Sequence, residues 1–421
     1  MRVPAVRILG EGDPVDVVTE GGVIRDIVPS IADERPERTR VMLPGLVDLH
    51  THLRDPGQTD AETLSSGTLA AAAGGFSDVF AMPNTDPPTD TAERARLLRD
   101  RAAKGTHARV HVIGAATVGR EGRQMVDLEA LQAEGVRIFS DDGACVNDPR
   151  LVTQLLAETA RTGAVFAQHA QDHDVAGAGV VHSRIADRLH VAGWPAEGEE
   201  AVIARDVAIL RETGGRLHIC HVSTRGAVDL IREAKREGLA VTAEVTPHHL
   251  MLTDEDVLAR GAALKVNPPL RERGDVEAVK TGLRDGTIDI VATDHAPHPA
   301  SGKERPLSEA AFGLTGLESA VAVVAEVLVR PDGATDWPAV ARVLAFAPAR
   351  IGSLPTGHVS HLRVGDPATF CVVTRGSHSV TPSATRSRSS NAAFAGHRFR
   401  TRVELTVLEG RETYRMAHAS S

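Results

Sequence analysis

A short apolar run followed by a longer Ala/Leu/Glu/Arg-rich segment recurs eight times through the middle of this chain, and that rhythm leaves few folds open. The apolar runs are Leu46–His50, Asp78–Met82, Val110–Gly114, Val136–Phe139, Val165–His169, Leu217–His221, Val241–Glu244 and Ile288–Ala292. They have the length of buried strands, whereas segments such as Ala61–Ala73, Ala92–Ala103 and Val202–Glu212 carry helical periodicity. Eight strands alternating with helices predict an α/β fold, a (β/α)8 TIM barrel. At 421 residues the chain is longer than a plain barrel of about 250 needs. Its two ends supply β-like pieces (VRIL and VDVVTEGGVIRDIV early, PATFCVVT and VELTVLEGRETY late). These predict a small β-sandwich module built from residues 1–43 and 355–421, with the barrel spanning 44–354. Aromatic residues make up only 3% of the chain, so Ala, Val, Leu and Ile must fill the core.

Two polar stretches interrupt the pattern. ADERPERTR, residues 32–40, reads as a solvated turn of mixed charge. Gly376–Ser390, rich in Ser, Arg and Thr, reads by composition as a surface loop or a disordered excursion.

A barrel carries its chemistry on the loops that follow its strands, so metal-competent side chains should gather at the strand ends. In LPGLVDLHTHLRDPG, residues 43–57, His50 and His52 close the first strand. The period of two along a strand sends both imidazoles to one face, with Arg54 next in the same alternation. The second strand ends at Asn84, the fourth at Asp141 and Asp142, the fifth at His169, the sixth at His221, and the last at Asp294 in TDHAPH. Scatter of 19 histidines would not produce this alignment. Four histidines and two carboxylates exceed the needs of one tetrahedral zinc ion and suit two ions about 3.5–4 Å apart with a bridging carboxylate. Asp142 or Asp141 is the candidate bridge. Such a pair lowers the pKa of a shared water from ~15.7 toward roughly 7, and Asp294 is placed to take its proton and return it to a leaving nitrogen.

Other polar residues divide between site and scaffold. His218, three positions before His221, falls on the opposite strand face and reads as structural. His248 and His249 read as structural, and His295 as a hydrogen-bonding neighbour. Cys220 is expected to face the outer layer of the barrel. His298, beyond Pro297, is free to contact substrate, and Asn267 in KVNPPLR suits a fixed hydrogen-bond donor. The loop Pro299–Leu307, with Gly302, Lys303 and Arg305, reads equally as a lid or a plain surface loop.

A net charge of −9 over this length carries no basic footprint for nucleic acid. Cys145, Cys220 and Cys371 are too scattered for a disulfide framework and fit a reducing, cytoplasmic setting. The N-terminus lacks a signal-peptide core, and the most apolar helical window, Ser319–Arg330, is too short to span a bilayer.

Taken together, PGLVDLHTHLRDPG, AMPNTDPPTD, FSDDG, HICHVST, TAEVTPHHL, KVNPPLR, TDHAPH and FGLTGLE resemble, in order, the motifs of the amidohydrolase superfamily and within it the class I dihydroorotases. The resemblance implies that His50, His52, Asp142 and Asp294 hold one zinc ion and that Asp142, His169 and His221 hold a second. It implies that Arg54, Asn84 and His298 grip a substrate carboxylate, that Asn267 contacts the pyrimidine ring, and that Asp294 shuttles the proton. The implied activity is reversible hydrolysis of (S)-dihydroorotate to N-carbamoyl-L-aspartate in pyrimidine synthesis. SRSSNAAFAG is similar to the family's return from barrel to β-module. Relatives form homodimers, and some assemble with aspartate carbamoyltransferase. Hydantoinases and allantoinases, the nearest rival reading, usually bridge their metals with a carboxylated lysine; here GVRIFSDDG offers no lysine. A second rival, a silent partner of the carbamoyltransferase, would lose metal histidines that this chain keeps.

Overall fold

The computed structural model describes residues 1–31, 39–355 and 357–417; most of the segment expected as a solvated turn, 32–38, lies outside them. All eight expected strands are present: β1 (Leu46–Thr51), β2 (Phe76–Ala81), β3 (Arg109–Val112), β4 (Ile138–Phe139), β5 (Val165–Gln168), β6 (Leu217–Ile219), β7 (Val241–Val245) and β8 (Ile290–Val291). They run as two parallel sheets, β1-β2-β3 and β8-β7-β6-β5-β4. Isolated parallel bridges join the sheets at both seams, Gly114 with Phe139 and Thr51 with His295, so the eight strands close on themselves. The buried Asp48 carboxylate stitches the second seam: it accepts from the Thr293 amide of the β8 end at 3.0 Å and from the His50 amide of β1 at 3.1 Å.

Helices α1 (Leu64–Ala73), α2 (Ala92–Ala102), α3 (Pro149–Thr162), α4 (Glu197–Thr213), α5 (Arg225–Arg236) and α6 (Arg273–Asp285) pack outside the barrel. Their starts follow capping chemistry. Thr63 and Ser66 cap α1 reciprocally, so the helix begins at Leu64 rather than at Ala61; Thr91, Asp148 and Thr224 cap α2, α3 and α5. On α5 the buried positions Ala227, Val228, Ile231 and Ala234 form one apolar stripe, and the large side chains each contribute about 1.5–3 kcal/mol by leaving water. The core is aliphatic, as the low aromatic content requires, with Ala70, Ala71 and Ala72 letting α1 lie close to its neighbours.

Both chain ends form one β-sandwich. Strand Arg2–Ile8 pairs antiparallel with Val15–Glu20 through its first half and parallel with Arg40–Pro44 through its second. It bends between them at Ala5, whose φ is 50°. Phe370–Ser379, Arg398–Leu408 and Arg411–Arg415 continue from Arg40–Pro44, and Val23–Pro29 lies beyond Val15–Glu20, making seven hydrogen-bonded strands in all. Val3, Val6, Val17, Ile24, Met42, Phe370, Val372, Leu405 and Val407, drawn from both chain ends, form the module's own core. Strand Arg40–Pro44 passes into β1 through Gly45, where a Cβ would stand 2.4 Å from Ser77 Oγ and 2.8 Å from Thr369 Cγ2. A bulkier residue would require Ser77 and Thr369 to shift.

Gly376–Ser390 is surface over most of its length, as the loop reading has it, with 381–386 exposed or half-buried, and is held at both ends. Its first residues continue strand Phe370–Ser379, and Ser387 and Ser389 are buried. At its far end a buried carboxylate replaces solvent: the Ser387 hydroxyl and the Arg388 amide both donate to Glu62.

Candidate metal centre and substrate pocket

The side chains expected at the strand ends converge on one rim of the barrel. His50 Nε2 lies 3.3 Å from Asp142 Oδ1 and 3.4 Å from Asp294 Oδ1. His52 Nε2 lies 3.4 Å from Asp142 Oδ2 and 3.0 Å from Asp294 Oδ1. On the other side, His169 Nδ1 and His221 Nε2 stand 3.3 Å and 3.4 Å from Asp142 Oδ1. Ligands on a tetrahedron with bonds of about 2.0–2.1 Å stand about 3.3 Å apart, so these are the separations a shared cation demands. Two groups of ligand atoms result, His50–His52–Asp142 and Asp142–His169–His221, and Asp142 belongs to both. His50 Nε2 and Asp142 Oδ1 are buried without a hydrogen-bond partner, which is costly unless a cation satisfies them. The donor set therefore fits divalent metal.

The nitrogens that face away from this centre are held. His50 Nδ1 donates to Glu244 Oε1 at 2.6 Å, His52 Nδ1 to Asn84 Oδ1 at 2.8 Å, and His169 Nε2 to Gln171 Oε1 at 2.9 Å. Each bond fixes the tautomer and aims the other nitrogen inward. Glu244 is fully buried and also accepts from His218 Nε2 at 3.0 Å. Burial opposes its ionisation, but His50 and His218 outweigh that and hold the carboxyl at about 2. Glu244 and Gln171 escaped the sequence reading, because neither stands in a ligand-like spacing. The one available signal was an acidic residue in a strand that is otherwise apolar, VTAEV.

Strand alternation gave the wrong direction in three places. β6 ends at Ile219, and His221 adopts φ 33°, so the period of two does not reach it. His218 consequently points inward with His221, where its ring meets Glu244 Oε2 and Thr242 Oγ1. Cys220 is likewise corrected: its sulfur lies within 4.8 Å of ligand atoms of His50 and Glu244, inside the barrel and not in the outer layer. Arg54 reaches the site through a left-handed residue, φ 58°, beyond the end of β1 rather than by continuing its alternation. Asp294 is left-handed too, φ 45°. Such backbone costs about 1–3 kcal/mol per residue and persists where the surroundings enforce it, commonly at functional sites.

Of the two aspartates in FSDDG, Asp141 is occupied elsewhere: it accepts from the Ala116 and Thr117 amides at 2.9 and 3.0 Å and from the Thr117 hydroxyl. Asp142 alone faces the histidines. His248 is buried with both ring nitrogens unpartnered, and His249 meets Thr246 Oγ1 at 2.8 Å and Pro268 O at 3.1 Å. His295 meets Glu62 Oε2 at 3.2 Å. A further grouping, Asp78–His111–His358, lies away from the rim. Its carboxylate is already taken by the Arg109 guanidinium through two contacts of 3.0 Å, so it is a half-buried polar cluster around Asp78.

A cavity of about 250 Å³ opens over the centre, lined by Arg54, Asn84, Asn267 and His298 together with Phe312 and Gly313. Arg54 is buried, and burial lowers its pKa to about 10, so it remains a cation at neutral pH. Its Nε donates to Pro297 O at 3.3 Å. Burial, with Arg54 nearby, lowers His298 to about 4, leaving a neutral ring that donates from Nε2 to Phe312 O at 2.7 Å. Asn267 Nδ2 is steadied by Gln171 Oε1 at 3.0 Å. The loop Pro299–Leu307 is not among the cavity-lining residues. Its Lys303 is buried and donates to the carbonyls of Lys265, Ala311 and Gly313 at 3.0–3.1 Å, which pins the loop down.

A family model described as Dihydro-orotase-like matches residues 39–227. The protein named Dihydroorotase in Streptomyces coelicolor is 45% identical over 421 residues, covering 98% of this chain and 97% of its own. The protein of that name in Mycobacterium tuberculosis is 40% identical over 422 residues, covering 98% of each. Among solved structures, L-hydantoinase (dihydropyrimidinase) from Arthrobacter aurescens is similar with a TM-score of 0.82. That likeness covers 98% of this chain and 95% of the other at 23% identity, and speaks for the fold.

Proposed function

The chain belongs to the dihydroorotase family of cyclic-amide hydrolases, and on that footing we propose that it interconverts (S)-dihydroorotate and N-carbamoyl-L-aspartate in de novo pyrimidine synthesis. The observation that carries this is one carboxylate, Asp142, set between two pairs of imidazoles at 3.3–3.4 Å, with a guanidinium lining the same cavity. In this reading His50, His52, Asp142 and Asp294 hold one zinc ion and Asp142, His169 and His221 hold the other. Such a pair, when bound, makes water nucleophilic at neutral pH and polarises an amide carbonyl.

The chain's own residues do the rest. Arg54, with Asn84, orients the ring by its exocyclic carboxylate through a charge-assisted contact. His298 joins them in its imidazolium form, which the arriving carboxylate favours, with Nε2–H on Phe312 O and Nδ1–H left for the substrate. Asn267 faces the ring. Asp294 accepts the proton of the attacking water and hands it to the ring nitrogen as the carbon–nitrogen bond breaks, leaving a carboxylate and a ureido amide. Burial opposes the charge on Asp294, but His50 and His52 outweigh it and hold the carboxyl well below its usual range. It is therefore ionised, in the accepting form, at neutral pH. An uncharged hydantoin would leave Arg54 without a partner, which separates this activity from that of the hydantoinases. The same reading divides the chain into a barrel over 44–354 and a module over 1–43 and 355–421. It also includes a cytoplasmic homodimer, with association with aspartate carbamoyltransferase as a further assembly. Among the described residues, no helix is long and apolar enough to cross a membrane.

Metal analysis beside a dihydroorotate hydrolysis assay tests the proposal: about two zinc ions per chain and turnover abolished by chelation are expected. Full activity in a metal-stripped chain would refute it. Glu244→Gln, which weakens the hold on His50, is expected to lower metal affinity about 10–100-fold while the fold persists. A competition titration against a chromogenic chelator reads that shift. The pH dependence of loading follows from His50. Burial opposes its protonation, but Asp142, Glu244 and Asp294 raise its pKa well above the usual value. The metal-free chain thus carries a proton there at neutral pH, which zinc must expel, so affinity climbs as pH rises and is lost on acidification. Calorimetry in two buffers of different ionisation enthalpy should show about one proton or more released per chain; zero release would contradict it.

A further inference from the structure

The stretch Ser387–Asn391 comes from the far end of the chain, yet it forms part of the wall behind the catalytic rim. Arg388 N donates to Glu62 Oε1 at 3.0 Å, and Ser389 Oγ donates to Ala61 O at 2.7 Å. These contacts deliver Asn391 to a gap between two loops. Its Nδ2 donates to Ala296 O at 3.0 Å and to Gly313 O at 3.1 Å, and its Oδ1 accepts from the His298 amide at 3.2 Å. One planar amide therefore satisfies three backbone groups, on 296–298 and on 313, in a fixed geometry.

Those two loops bracket the carboxylate-binding corner. Pro297 O supports Arg54, and Phe312 O holds the His298 ring. They approach so closely at Gly313, φ 140°, that a Cβ there would stand 2.8 Å from Ala296 Cβ and 2.9 Å from His298 Nε2. Without Asn391 the carbonyls of Ala296 and Gly313 lose a shared donor. Among the described residues the loops then keep only the bond from Ala296 N to Leu314 O at 2.9 Å and that from the His298 ring to Phe312 O to set their spacing.

We propose that Asn391 is a positioning residue for substrate: an amide from the C-terminal stretch that fixes the two loops between which Arg54 and His298 receive the carboxylate. This rests on the reading of His298 and Arg54 as the carboxylate grip. The test is a double-mutant cycle in the zinc-loaded full chain, with Asn391→Ala, His298→Ala and the pair. Its readouts are KM and kcat for dihydroorotate and Kd for orotate, an analogue that is not turned over. Asn391→Ala is expected to raise KM and the orotate Kd about tenfold with kcat within about twofold and metal content unchanged. The pair should fall well short of the product of the single losses, because the two residues act on one contact. Asn391→Asp keeps the acceptor for the His298 amide but sets an oxygen against two carbonyls; it should do at least as much harm, and it replaces the alanine variant if that does not accumulate. Unchanged KM and Kd, or losses that multiply in the pair, would overturn the proposal. If His298→Ala itself left KM and Kd untouched, the fault would lie in the carboxylate reading and not in Asn391.

Discussion

Asp294→Asn is expected to lower kcat by about 10³–10⁴-fold while the chain stays folded and keeps most of its metal. The size follows from what the substitution removes. Asparagine preserves the shape of the side chain and an oxygen that can face His52 Nε2, now 3.0 Å away, and His50 Nε2, 3.4 Å away. It has no basic oxygen to take a proton from water and no acid to protonate a departing nitrogen, so both halves of the transfer fail. Asp142 and the four histidines still offer ligand atoms on both sides, so metal content should change far less than rate. Steady-state kinetics beside metal analysis on one preparation separate the two effects. A variant with near-wild-type kcat would remove Asp294 from the chemistry. One that lost metal and activity in parallel would make it only a ligand.

The barrel was legible because its signal is redundant: eight strand-length runs separated by helical segments leave little room for another closure. The strand ends were legible for a related reason. A loop after a buried strand has little cause to carry His and Asp unless something binds there. What could not be read was anything that depends on backbone departing from the regular period. His221 and Arg54 lie past their strands in left-handed conformations, so alternation misplaced Cys220 and His218 even though the expected ligand side chains converge on one rim. Supporting residues were hidden for a different reason. Glu244, Glu62 and Asn391 act on groups far along the chain, with Asn391 reaching residues 78 to 95 positions away. Nothing local marks a residue whose partner is that distant. Ser387 and Arg388 show the same blindness, since polar residues that feed a buried carboxylate look in sequence like ones that feed water.

Arg54→Ala is expected to lower kcat/KM for dihydroorotate by about 30- to 10³-fold, the loss of roughly 2–4 kcal/mol when one partner of a desolvated charge pair is removed. The guanidinium is buried, keeps its charge at neutral pH, and is oriented by Pro297 O, so little of its free energy of interaction is screened by solvent. Arg54→Lys should recover only part of the loss: an ammonium restores the charge but not the planar fork that matches a carboxylate. The opposite result is expected with dihydrouracil, the same ring without the carboxylate. Wild type must leave a buried cation unpaired when it binds that ring, whereas the alanine variant does not, so the ratio of kcat/KM values should swing toward the uncharged ring by the same factor. If Arg54→Ala slowed both rings equally, the guanidinium would be holding the barrel rim in shape rather than selecting substrate. The activity would then be that of a general cyclic amidase.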